Sequence, residues 1–134
     1  MVHRGIERRT CERFEVPGAT LCYRREGLLP FSKEYTEECF PIVDISRGGL
    51  RFLSETMLKV DAMLSLKVTL PGDETPLLIK GRVSWASVNP GVSYKYQIGI
   101  QFEPYGDKKS ENDPESLRRI TALEQKFLPA KSGQ

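Results

Sequence analysis

The chain is poor in the residues that build metal centres and hydrolytic triads: one histidine, three cysteines and one tryptophan among 134 residues. With no histidine–cysteine cluster at ligand spacing, a zinc site has nothing to assemble from. A Ser-His-Asp hydrolase would have to recruit His3, close to the N-terminus. Cys11, Cys22 and Cys39 have neither an even count nor a metal-ligand spacing, so the expectation is reduced thiols. Arginines near Cys11 would lower its thiol pKa were it exposed. No apolar run approaches the roughly 20 residues of a membrane span. Residues 1–9 are charged with no apolar stretch behind them, unlike a signal peptide, so a cytoplasmic location without membrane insertion is expected. A formal charge of +2 is too mild to imply nucleic acid on its own.

What is present is strand pattern. The hydrophobic and charged fractions, 39% and 28%, are those of a globular chain with a buried core. A strand over residues 14–23, bent at Pro17-Gly18, is followed by a long loop over 24–37. A second strand ends in Asp44-Ile45-Ser46. Period-two alternation there turns Val43 and Ile45 inward and leaves Asp44 and Ser46 together on the other face. Gly48-Gly49 makes a turn with freedom for positive φ or for a close approach, and residues 50–53 form the third strand. Met57, Leu58 and Val60 are expected to cover one end of the core. The fourth strand turns Leu64, Leu66, Val68 and Leu70 inward, and the fifth Ile79, Val83 and Trp85. The sixth turns Tyr96, Ile98, Ile100 and Phe102 inward and carries Gly99 on its outer face, where a glycine weakens a strand unless it relieves a bulge or admits another group.

Six strands without intervening helices predict a mainly β fold, a six-stranded antiparallel, Greek-key-like β-barrel over residues 14–104, closed so that no edge is exposed. Residues 1–13, rich in arginine and without hydrophobic period, are expected to be a flexible basic arm. A single helix is predicted over 113–128, with Asp113 as N-cap and Pro114 at the first helical position. Its stripe of Leu117, Ile120, Leu123, Phe127 and Leu128 would cover an open end or side of the barrel, or else form a partner-binding or dimerising face.

The chemistry converges on two motifs. Arg9 and Arg13, four positions apart and preceded by Arg8, point to one side of an extended arm. Their guanidinium forks match phosphate oxygens and the O6/N7 edge of guanine. Asp44-x-Ser46-x-x-Gly49 places a carboxylate, a hydroxyl and bare backbone on one patch. In this order and in an all-β chain, the two motifs resemble the PilZ domain family of bacterial cyclic di-GMP receptors. The likeness extends to Gly81-Arg82-Val83-Ser84-Trp85, to Gly99-Ile100-Gln101-Phe102 and to the closing helix.

That resemblance implies a single PilZ-like domain over 1–134 that binds a second messenger and is no enzyme. It needs no cofactor beyond the ligand, cyclic di-GMP. By position, Arg9 and Arg13 would clamp phosphates and guanine edges, Arg8 would stack on a base face or hold a second nucleotide, Asp44 would accept from the guanine N1–H and N2–H, and Ser46 would bind base or phosphate. Gly48, Gly49 and Gly99 would leave room for the nucleotide. The implied output is a conformational change of the arm that regulates an unidentified effector protein, with no DNA or RNA partner. Two other readings stay open: a small barrel binding single-stranded nucleic acid, which would lack the usual row of exposed aromatics, and an interaction scaffold with a vestigial site.

Overall fold

The computed structural model describes residues 12–26, 34–91 and 93–128. Six strands, β1 (Thr20–Arg25), β2 (Phe40–Ser46), β3 (Gly49–Ser54), β4 (Met63–Thr69), β5 (Leu77–Val88) and β6 (Tyr96–Phe102), precede one helix, α1 (Pro114–Phe127). Every pairing is antiparallel. The strand order β1-β2-β3-β6-β5-β4 closes on itself through β4 and β1, the barrel expected from the alternation. Two meanders, β1-β2-β3 and β4-β5-β6, are joined by one crossover over residues 55–62.

The interior is filled by Leu21, Ile45, Leu50, Phe52, Leu64, Leu66, Val68, Val83 and Ile98, all fully buried. Tyr23, Phe40 and Phe52 add a cluster with ring centroids 5.7 to 6.3 Å apart, a spacing at which tilted aromatic pairs attract beyond their area burial. From the crossover Leu58 is buried in this core and Ala62 packs against it. Met57 and Val60, expected beside Leu58, are about half exposed, because a connection that spans the barrel end in so few residues cannot turn every apolar side chain inward.

Two bulges shift the pattern read from the sequence. The β2–β3 register slips between Ile42 and Asp44. Ile42 therefore faces Phe52 and packs on the core, while Val43, assigned inward by strict alternation, is the extra residue. A second slip, between Val83 and Trp85, sets Val83 opposite Ile100 and Trp85 opposite Gly99. One extra residue reverses every side chain beyond it, so Trp85 lies on the outer face and not in the core.

The first predicted strand is broken in two. Gly18 takes φ +84° in the Pro17-Gly18 turn, and only residues from Thr20 onward join the barrel as β1. Phe14 instead makes an isolated antiparallel bridge to Ile45, each N–H donating to the other's carbonyl at 2.9 Å. Phe14 and Val16 are buried, so the arm is anchored at least from this point.

α1 begins as the sequence predicts. Asp113 accepts from the Glu115 N–H at 2.9 Å, and Pro114 occupies the first turn. Ile120 is fully buried in the core, with Leu123, Phe127 and Leu128 packed beside it, whereas Leu117 is only half-buried and Ser116 takes the buried position. The Ser116 hydroxyl donates to the Leu78 carbonyl at 3.3 Å. The segment leading to the helix is stitched to β5 by Asn112, itself buried. Its Oδ1 accepts from the Lys80 N–H at 2.7 Å, and its Nδ2 donates to the carbonyls of Lys80 and Glu103, both at 2.9 Å.

Candidate functional site

The β2–β3 hairpin places the residues of the second motif. Its ladder runs Ser46 to Gly49, Ile45 to Leu50 and Asp44 to Arg51, so the residue facing Asp44 on the outer surface is an arginine. Arg51 donates through Nε to both carboxylate oxygens of Asp44, at 3.0 and 3.1 Å, and through Nη2 to Oδ2. Its Nη1 reaches Gln97 Oε1 at 3.3 Å. The Phe14–Ile45 bridge brings Arg13 to the same carboxylate, with Nη1 donating to Oδ1 at 3.3 Å.

Asp44 is 5% exposed. A carboxylate so withdrawn from water needs charged partners, and it has two. The hydrogen bonds to Asp44 raise the pKa of Arg51 above its ordinary value, so its guanidinium stays charged. The sequence motifs do not include Arg51. Counting back from the Arg47-Gly48 turn would have found it, since a hairpin paired at Ser46 and Gly49 must oppose Asp44 and Arg51.

Ser46 is buried, and its hydroxyl serves its own turn. It accepts from the Gly48 N–H at 3.2 Å and donates to the Gly49 carbonyl at 3.3 Å. Neither Gly48 nor Gly49 has positive φ, contrary to one of the two uses expected of them. Gly49 supplies the other, close approach: a Cβ there would lie 2.1 Å from the Ile100 carbonyl oxygen of β6. The turn is held from behind as well. Phe102 N–H donates to the Gly48 carbonyl at 2.9 Å, and Tyr105 Oη to the Arg47 carbonyl at 2.7 Å. The Arg47 guanidinium pairs with Glu124 of α1 at 3.1 Å.

Gly99 faces Arg51 on β6. The group it admits is the Trp85 indole, which would lie 2.3 Å from a Cβ at this position. The Ser84 hydroxyl donates to the Gly99 carbonyl at 3.2 Å. Arg13, Ser46, Gly48, Gly49, Arg51, Trp85 and Gly99 thus line one cleft with Gln101. Trp85, half-buried at its wall, belongs to the core by alternation alone, and nothing in the local pattern signals the bulge that brings it out.

Of the eight site residues read from the sequence, Arg13, Asp44, Ser46, Gly48, Gly49 and Gly99 come together here. Arg8 and Arg9, like Cys11 and His3, lie outside the described residues. Among the described residues no group of three or more histidine, cysteine or acidic side chains is placed to hold a metal. No helix described is long and apolar enough to cross a membrane.

No curated protein matches the chain. Solved structures do. The Bacillus subtilis inhibitor of motility MotI/DgrA aligns at 15% identity with a TM-score of 0.57 over 90% of this chain and 53% of its own. A complex of K. pneumonia MrkH with c-di-GMP aligns at 23% identity and 0.58, over 90% of this chain and 52% of its own. The chain therefore spans about half the length of each, and at these identities the likeness is one of fold. The PilZ domain model matches residues 7–121, from the arginine motif into the helix, and the chain belongs to the PilZ domain family.

Proposed function

We propose that this chain is a receptor for cyclic di-GMP that works by binding and not by catalysis. The observation that carries the reading is the buried Asp44 carboxylate, ringed by Arg13 and Arg51 at the edge of a cleft walled by Gly99 and Trp85. A guanine offers N1–H and N2–H side by side, the same parallel pair of donors that the Arg51 fork now presents to Asp44. Exchange of one for the other keeps the carboxylate paired and frees a guanidinium for a phosphate or for the guanine O6/N7 edge. Trp85 supplies a ring face on which a base can stack.

In this reading Arg8 and Arg9, which precede the anchored Arg13, complete the clamp over the ligand's two phosphates. Closing the arm on the barrel alters the surface that a separate effector protein reads, an order–disorder type of switch. The MrkH complex with c-di-GMP, alike in fold, supports the ligand class.

The test is calorimetric titration of the protein with cyclic di-GMP, GMP and a short oligonucleotide. Saturable binding of the cyclic dinucleotide alone is expected, weakening as salt rises because phosphate charges are being neutralised. Asp44→Ala and Arg13→Ala should each weaken it by about 5- to 150-fold, the equivalent of roughly 1–3 kcal/mol for a lost paired contact to guanine. Titration curves unchanged in both variants would refute the assignment, and tighter binding of the oligonucleotide would favour a nucleic-acid barrel.

A further inference from the structure

Two thiols meet where β1 joins β2. Cys22 and Cys39 place their Sγ atoms 3.3 Å apart, and both are free. The register that pairs Thr20 with Pro41 and Leu21 with Phe40 sets Cys22 opposite Cys39 at its next step. The Ile42 N–H donates to the Ala19 carbonyl at 3.0 Å. Hydrogen-bonded and non-hydrogen-bonded pairs alternate along an antiparallel ladder, so Cys22 and Cys39 fall on a pair of the second kind. Facing Cα atoms there are about 4.5 Å apart, inside the range a disulfide bridges.

The two thiols are not equivalent. Cys39 is exposed, whereas Cys22 is half-buried between the strands. Burial, reinforced by its neighbour's thiol, raises the Cys22 pKa. An oxidant therefore meets Cys39 first, with Cys22 in van der Waals reach behind it.

We propose that Cys22 and Cys39 form a two-electron redox site that a hydroperoxide closes to a disulfide. The Cys39 sulfur attacks a peroxide oxygen, the O–O bond breaks, and the leaving alkoxide takes a proton to depart as an alcohol, or as water when the oxidant is hydrogen peroxide. Cys39 is left as a sulfenic acid. The Cys22 sulfur then attacks the Cys39 sulfur, the S–O bond breaks, and the departing hydroxide takes the remaining thiol proton as water. Two thiols are oxidised by the loss of two hydrogens while one peroxide is reduced, and a dithiol reductant reverses the change.

The consequence falls on the shortest ladder in the barrel. β1 and β2 share two register pairs, whereas β1 and β4 share six. A crosslink there joins residues 17 apart in sequence. Constraining a loop of that size in the unfolded chain should raise the thermal midpoint by about 10 °C. The assignment is independent of nucleotide binding.

Hydrogen peroxide, added to the full chain carrying Cys11→Ser, provides the test. Thiol titration and intact mass should show Cys22 and Cys39 lost together, with two hydrogens removed, no covalent dimer and the expected rise in midpoint, all reversed by dithiothreitol. Adding Cys22→Ser or Cys39→Ser to that background should abolish the rise. Persistence of both thiols, an oxygen-bearing product with one thiol left, a crosslinked dimer or a disulfide with an unchanged midpoint each overturns the proposal.

Discussion

Replacing Gly99 by alanine should damage the cleft while sparing the barrel. A Cβ at this position lies 2.3 Å from both Cε2 and Nε1 of Trp85 and 2.8 Å from Cδ1. Carbon atoms settle at about 3.5–4.0 Å, so the indole has to move outward by more than about 1 Å. It can do so, because the Val83/Trp85 bulge has placed it on the outer face. The loss of stability should stay near the low end of the overpacking range, about 1 kcal/mol. The loss of affinity should be larger. A displaced stacking face is worth about 1–3 kcal/mol per base, or roughly 5- to 150-fold for cyclic di-GMP. Trp85 is the only tryptophan of the chain, so its fluorescence reports the displacement and the ligand in one titration. Gly49→Ala is the contrasting variant. Its Cβ would meet the Ile100 carbonyl oxygen at 2.1 Å, a backbone atom fixed in the next strand, and it should cost about 3 kcal/mol of folding stability. An affinity for Gly99→Ala within about twofold of the parent would refute the stacking role of Trp85.

Other consequences can be measured by unfolding alone. Arg51→Ala leaves the buried Asp44 with Arg13 and should destabilise the protein by about 1–2 kcal/mol in urea titrations, reduced from the fully buried case because water reaches the Arg51 site. Arg51→Lys should recover only part of this, since an ammonium cannot reproduce the fork on both oxygens. Asn112→Ala removes three hydrogen bonds to backbone groups of Lys80 and Glu103 and should cost about 3 kcal/mol in the same assay. Burial raises the Tyr23 pKa above its ordinary value of 10.0, so the folded state holds that proton more tightly than the unfolded one. The resulting stability is complete below the unfolded value and is lost as pH rises through the folded one. Chemical denaturation should therefore show the parent weakening above about pH 10, and Tyr23→Phe weakening less.

Much of this arrangement is legible in the residues themselves. Alternation over Leu64, Leu66 and Val68 and over Ile98 and Ile100 needs no tertiary information, and neither does the Asp113-Pro114 start of the helix. Where the reading fails, the cause is an inserted residue. Alternation propagates a face assignment only until a bulge reverses it, and bulges at Val43 and Ser84 are set by how two strands meet. That is why alternation prefers Val43 to Ile42 and sets Trp85 on the wrong face. The motifs locate the cleft, but the pairing of Asp44 with Arg51 depends on hairpin register. The docking of Phe14 on Ile45 joins residues distant in sequence, and no local signal announces it.

The turn between Ser46 and Gly49 is fastened on three sides, by Phe102, by Tyr105 and through Arg47 by α1. Arg13, by comparison, is held to β2 by the rung at Phe14 and by its own pairing with Asp44. One wall of the cleft is thus a fixed anvil, and the other is joined to it by one rung and one ion pair. A guest that takes over Asp44 should therefore loosen the second wall first, with the anvil as its fixed reference.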